Sequence, residues 1–374
     1  MKKQIPGGIV FVVLLIAAAA ILTTGYLLIS DAYETANQKA VPEKMQVPEG
    51  VTCIQWNETD GDISMQKLSA CLSELEPSVA VIKEKDLQWK DICPDNFWVE
   101  SFSVTSYDNA DFKLYNFKYY DDADQNKKMT AAVEAEVRKI TDAVKAQSKG
   151  DEWDDILFVH DELIRNTEFV EQETNADHTH DLYGALVNHK AVCQGYTYAF
   201  SYILRKLGYK CTDIYSKEHI WSKIESLKTG EKYIDVTWDD YNNCDRNGQP
   251  YIHHDFFCLT KKEMESFDEH KPEDDGDNEF NGAVGDNYYR KKNYYIPKND
   301  EMAFRACALE QFEQGKNLLE FRFESREDFD RAGDWTMAIL KELGYTEKHY
   351  YVYSKPELLT YSAGLYTPPE KAAE

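Results

Sequence analysis

The apolar positions change their period along this chain, and each change predicts a different element. Residues 9 to 29, IVFVVLLIAAAAILTTGYLLI, show no period and carry no charge. About 20 such residues in a helix reach across a bilayer. Residues 31 to 50 are polar, hold two prolines and read as a linker. From 51 to 148 the pattern is mixed. DISMQKLSACLSEL has the spacing of an amphipathic helix, SVAVIKE reads as a strand, and FWVESFSVTSY and FKLYNFKYY alternate as strands. KKMTAAVEAEVRKITDAVKAQS then predicts a long helix.

The central region opens with another amphipathic segment, WDDILFVHDELIRN, at residues 153 to 166. Its next helix starts at Cys193 and meets a stop signal at Gly208. CTDIYSKEHIWSKIES and EKYIDVTWDD alternate like paired strands, with LKTG as the turn between them. Beyond Asp240 the chain reads as loop, and DEHKPEDDGDNEFNG is an acidic insertion. The C-terminal part runs helix, strand, helix, strand through EMAFRACALEQFEQG, LLEFRFE, REDFDRAGDWTMAILKELG and KHYYVYS. An α+β fold is expected. Its divisions are 1–30 a membrane helix, 31–50 the linker, 51–148 an N-terminal α/β region, 149–298 the central domain, 299–356 a small C-terminal α/β unit and 357–374 a tail.

Charge narrows the partners. The 42 Lys and Arg against 67 Asp and Glu give a net charge of −25, so a nucleic acid backbone would be repelled. Lys2 and Lys3 before the apolar run, with Asp31 and Glu34 after it, predict a cytoplasmic N-terminus and an exported bulk. That reading makes the chain a single-pass cell-membrane protein held by an uncleaved signal anchor; a cleaved signal peptide is the rival. Export would permit disulfides among the eight cysteines. There is no C-x-x-C pair, so a zinc ribbon is not expected.

One stretch raises a chemical question. HKAVCQGYTYAFSYILRKLGYKC puts Cys193 where a loop turns into a helix. A cysteine commonly packs as a small hydrophobe, yet a helix N-terminus favours an anion and biases a thiol there toward the thiolate. His219 follows 26 positions on (219 − 193) and Asp235 16 further (235 − 219). An imidazole can take the thiol proton, and a carboxylate can hold that imidazole in the required tautomer. In a chain this rich in Asp, the order Cys, His, Asp is weak evidence by itself.

The local words are more specific. LYGALVNHKAVCQGYTYAFSYILRKLGYKC, EHIWSKI and KYIDVTWDD together resemble the transglutaminase-like superfamily, in particular its bacterial secreted members. With the flanks FVHDELIRN and HHDFFCLTKKEME, the resemblance covers residues 153 to 270. It implies a papain-type core with Cys193 as nucleophile, His219 as general base and Asp235 as orienting acid, and it calls for no cofactor. Glu218 stands where a small residue is usual, Ser222 where asparagine is usual, and Ala191 where glycine is frequent.

The resemblance implies an extracytoplasmic peptidase or amidohydrolase acting on a protein or peptide, with the cell envelope as one source. A cross-linking transferase and a non-catalytic surface module on the same fold are the alternatives. A peptidoglycan amidase would need a wall-binding repeat that the chain lacks. Other candidates carry less. His178 and His180 in ADHTHD suit a polar loop better than a metal, and Trp221 and Trp238 suit the core. Asp122, Asp124 and Asn126 resemble a calcium loop, but Lys127 sits where glycine is required and Val133 where a glutamate is required. The backbone N–H of Gln194 is the expected oxyanion donor.

Overall fold

The computed structural model describes residues 44–366 apart from 57–60, 83–85, 172–177, 226, 229, 273–286 and 347–348. It is a mixed α and β protein with several separate sheets. Two compact units divide the described residues: one gathers residues 44–64 with 77–82 and Ser103–Asn116, and the other holds the remainder.

The first sheet contains β1 (Thr52–Gln55), β2 (Ser78–Ile82), β3 (Val99–Ser106) and β4 (Lys113–Tyr119) in the order β1-β2-β4-β3. β1 lies parallel to β2, so the chain must cross over, and helix α1 (Gly61–Ser73) makes that connection.

In the larger unit, α2 (Ala123–Gln147) starts at Asp122, whose side chain accepts the Gln125 N–H at 2.9 Å. The acid that resembled a calcium ligand is therefore a helix cap. Met129, Val133, Val137, Ile140 and Val144 form its buried stripe at helical spacing. Helix α3 (Glu152–Asn166) is capped by Asp151, with Glu152, Asp154 and Asp155 in its first turn and Arg165 in its last. Those charges run with the helix dipole. Helix α4 (Cys193–Lys206) stops where Gly208 takes φ +92°, and Tyr209 N–H closes back on Leu204 O at 3.0 Å.

β5 (Cys211–Tyr215), β6 (Ile220–Ile224) and β7 (Lys232–Ile234) form an antiparallel meander against α4. Sequence alternation ran through the β5–β6 turn, which is why one strand was expected there. The turn closes where Ser216 N–H donates to His219 O at 2.9 Å, and His219 is left at the start of β6. After β7 come the one-turn helix α5 (Val236–Asp239) and the hairpin β8 (Asp240–Cys244) with β9 (Pro250–Ile252).

A last sheet orders β10 (Tyr295–Ile296), β11 (Leu318–Phe323), β12 (Tyr350–Lys355) and β13 (Thr360–Leu365) as β10-β11-β13-β12, packed by α6 (Glu301–Glu313) and α7 (Arg326–Glu342). β13 falls in the stretch taken as tail. All six of its residues are buried, Tyr361, Ala363 and Leu365 alternating with the small or polar Thr360, Ser362 and Gly364.

No helix among the described residues is long and apolar enough to cross a membrane. This corrects the expected single-pass membrane location: the long helices α2, α3 and α7 each bury one stripe and keep a charged face. Residues 9 to 29, on which that expectation rested, lie outside the described residues, as do 273 to 279 of the acidic insertion. None of the eight cysteines forms a disulfide.

Candidate functional site

Cys193 is the first residue of α4 and is half-buried. The N-cap, Val192, offers no side-chain acceptor to the N–H groups of the first turn, that of Gln194 included. They and the helix dipole favour an anion at this end. Val192 itself is pinned by its N–H to Thr179 O at 3.0 Å.

Gly195 is dictated by close approach. A Cβ there would lie 2.6 Å from Thr179 O and 2.9 Å from Ala191 Cβ. The loop it packs on is held by His178, whose Nδ1 is 2.7 Å from Asp181 Oδ2, while Asp181 Oδ1 accepts the N–H groups of Tyr183 and Gly184. His178 of ADHTHD is thus a loop clamp.

Asp235 caps α5 from a fully buried position. Its Oδ1 accepts the N–H of Thr237 at 3.0 Å and of Trp238 at 3.1 Å. Its Oδ2 accepts His219 Nε2 at 2.6 Å and His270 Nε2 at 2.7 Å. With Nε2–H committed to the carboxylate, Nδ1 is the His219 nitrogen left for Cys193, whose thiol lies within hydrogen-bonding reach. The backbone fixes the ring too, because His219 N–H donates to Ser216 Oγ at 3.1 Å and the ring stacks on Trp221 at 6.1 Å. The three residues expected from sequence are therefore brought together.

The electrostatics follow from burial and partners. Burial works against an imidazolium at His219, but the Asp235 carboxylate and the Cys193 sulfur more than offset it and hold His219 up at about 10. Burial likewise opposes ionisation of Asp235, yet His219 and His270 keep its carboxyl well below the usual range. The remaining acids of the segment are structural. Asp239 Oδ1 accepts the Phe256 N–H at 2.9 Å, and Tyr196 Oη donates to Asp240 Oδ2 at 2.5 Å.

His270 is the residue that sequence reasoning missed. It ends the turn Asp268–His270, inside a charged run with no motif to mark it. Its ring lies among Trp221, Trp238 and Phe256 at centroid distances of 5.0, 4.6 and 5.5 Å, and its buried Nδ1 has no hydrogen-bond partner among the described residues. Trp221 and Trp238 are accordingly walls of this cage.

A cavity of about 670 Å³ is lined by Trp89, Tyr215, Ser216, Lys217 and Pro272, among others. Ser216 links it to His219. Two groups among the described residues offer ligand atoms close enough for one metal ion: His219 with Asp235 and His270, and His160 with Asp161 and His254. The first is closed around Oδ2, where an ion would draw His219 away from Cys193.

No family model matches the sequence, and no curated protein is similar to it at a significant level. Among solved structures the chain is similar to a TGase, at 15% identity over 50% of this chain and 60% of that one, with a TM-score of 0.26. It is also similar to a candidate protease from Parabacteroides distasonis, at 10% identity over 42% and 39% of the two chains, TM-score 0.23. A third is a candidate cysteine protease from Cytophaga hutchinsonii, at 12% identity over 41% and 65%, TM-score 0.23. The chain spans less than two thirds of each of these proteins. Menin is a further solved neighbour, at 14% identity over 58% of this chain and 47% of that one, TM-score 0.25, and all of these TM-scores are too low for a likeness to carry the chemistry of the site.

Proposed function

We propose that this chain is a cysteine-dependent acyl-transfer enzyme on a transglutaminase-like, papain-type core, and that it hydrolyses amide bonds in a protein or peptide. The observation that carries the reading is the convergence of three groups. The Cys193 thiol stands at a helix start whose N-cap residue offers no acceptor, within reach of an imidazole whose other nitrogen is held 2.6 Å from a buried carboxylate.

In this reading His219 Nδ1 takes the Sγ proton and the thiolate attacks the carbonyl carbon. First-turn N–H groups of α4 receive the developing oxyanion. The imidazolium then returns the proton to the leaving nitrogen, the C–N bond breaks, and a thioester remains on Cys193. Water, deprotonated by His219, cleaves the thioester, giving the acid and the free thiol. Asp235 stays ionised throughout and keeps His219 in the Nε2–H tautomer. Substrate would approach through the cavity lined by Trp89 and Tyr215.

Water is the favoured acceptor because it is abundant, whereas transfer needs a bound amine and an enclosed thioester. The test offers a glutamine-containing peptide library with and without a labelled primary amine. Cys193-dependent release of ammonia or peptide fragments without label supports hydrolysis. Efficient labelling replaces it with transfer, for which the charge of −25 would favour lysine-rich acceptors. Inactivity in both arms with a reduced thiol refutes the reading as an enzyme.

A further inference from the structure

A second constellation lies outside the Cys193 machinery. Helix α3 supplies His160 and Asp161, and the loop after β9 supplies His254. His160 Nδ1 is 3.0 Å from Asp161 Oδ1, and His254 Nε2 is 3.1 Å from the same oxygen. Each imidazole is also gripped from outside by a carboxylate of its own. His160 Nε2 lies 3.1 Å from Asp239, and His254 Nδ1 lies 3.0 Å from both oxygens of Glu320. An outer carboxylate on the second ring nitrogen is how metal-ligating histidines are oriented. Tyr288 stacks on His254 at 3.7 Å and 6°, which further fixes that ring.

Charge and access agree. Three carboxylates surround two imidazoles in the interior, where uncompensated charge is costly. Asp161, its side chain 25% exposed, is the member that can adjust. A cavity of about 500 Å³, lined by Asp161, His254 and Glu320 among others, leads to it. We propose that His160 Nδ1, Asp161 Oδ1 and His254 Nε2 bind a divalent transition-metal ion of the zinc class, with water from the cavity completing the coordination. Two nitrogens and one oxygen suit zinc, cobalt or iron better than the harder calcium or magnesium. The N···O separations fall within a few tenths of an ångström of the edge of a tetrahedron with bonds of roughly 2.0–2.1 Å. The ion takes the place of the hydrogens between the rings and Oδ1, which leave to solvent, and nothing is oxidised or reduced. Since Asp239 ends the helix that Asp235 opens, the ion would also brace α5.

The test uses the full chain stripped with a chelator and titrated with Zn²⁺ against a chromophoric competitor, and separately with Co²⁺ followed by visible absorption. One ion per chain is expected, with a tetrahedral cobalt spectrum and no sulfur-to-cobalt band. Glu320→Gln should weaken binding about 10–100-fold, the usual effect of losing an outer carboxylate. Asp161→Asn, isosteric and partly exposed, should lower affinity with the circular dichroism unchanged, so a folding failure in His254→Gln would not obscure the result. Absence of binding in the wild type overturns the proposal. So does affinity unchanged in both Asp161→Asn and His254→Gln, or a sulfur band that disappears in Cys193→Ser.

Discussion

Replacing Asp235 by Asn should disable His219 without removing a single heavy-atom contact. The four donors on this carboxylate divide into two backbone N–H groups on Oδ1 and two imidazole N–H groups on Oδ2. An asparagine can keep its oxygen toward the backbone pair, which then sets its NH₂ against both imidazoles. Donor would face donor, so His219 must turn its lone pair to position 235 and its N–H toward Cys193. The wrong tautomer follows, and with it a thiol that has no base. The lift of His219 from 6.5 to about 10 corresponds, at about 1.4 kcal/mol for each tenfold step, to roughly 5 kcal/mol of preference for the imidazolium. Burial opposes that preference, so with the carboxylate gone the imidazole should titrate well below its value in the wild type. Loss of an orienting acid of this kind drops kcat about 10⁴-fold, and breaking a buried charged pair costs about 3–5 kcal/mol. Turnover of the peptide found in the library assay, urea unfolding, and NMR titration of His219 would report all three. A folded Asp235→Asn protein with near wild-type turnover, or with His219 still titrating near 10, would refute the tautomer argument.

Three further outcomes follow from the same contacts. His270→Phe removes one charge-assisted bond worth about 1.5–3 kcal/mol to Asp235 while the phenyl keeps the aromatic cage filled; kcat should fall about tenfold at an unchanged KM, and kcat unchanged would make His270 a packing residue. Gly195→Ala forces a Cβ to within 2.6 Å of Thr179 O, so α4 must shift; thermal unfolding should show a loss of at least about 1–3 kcal/mol, and no loss would contradict the close approach. Across pH, kcat/KM should fall on the alkaline side near 10, as His219 loses the proton it takes from Cys193 and must return to the leaving nitrogen. Because the folded value of His219 lies above the unfolded one, its contribution to stability is full below 6.5 and lost as pH rises through about 10. Asp235 is shifted the other way, so its contribution is present above 3.8 and disappears only as pH falls below the carboxylate range; urea midpoints across that range check both signs.

How much of this was legible depends on which signal each residue leaves in the sequence. Periodicity gave α2, α3, α4, α6 and α7 because each buries one stripe against a core. It gave β5 and β6 as one strand, since the turn at Ser216–Glu218 does not interrupt the alternation. β13 was missed although Tyr361, Ala363 and Leu365 alternate with Thr360, Ser362 and Gly364, because the alternation is short and runs into a proline-bearing tail. Within the site, Cys193, His219 and Asp235 stood in recognisable words, and their convergence needed only a helix start and two neighbouring strands. His270 had no word of its own. Its role depends on a turn 35 residues after Asp235 folding back onto the same oxygen, a tertiary fact with no local trace. The His160, Asp161 and His254 group was hidden for the same reason, its two histidines lying on a helix and a loop 94 positions apart (254 − 160).

The central claim is that Cys193 is a nucleophile activated by position rather than a thiol that happens to be near a histidine. The cysteines themselves supply the control, because Cys53 and Cys244 are exposed while Cys193 is only half-buried. Exposure alone therefore ranks Cys193 behind both. Limiting iodoacetamide at about pH 6, where an ordinary thiol is almost wholly protonated, followed by peptide mapping, separates access from ionisation. The predicted result is that Cys193 is alkylated ahead of Cys53 and Cys244, and that this lead is lost in His219→Ala. Alkylation of Cys193 no faster than the two exposed thiols, or a lead that survives His219→Ala, would contradict the account.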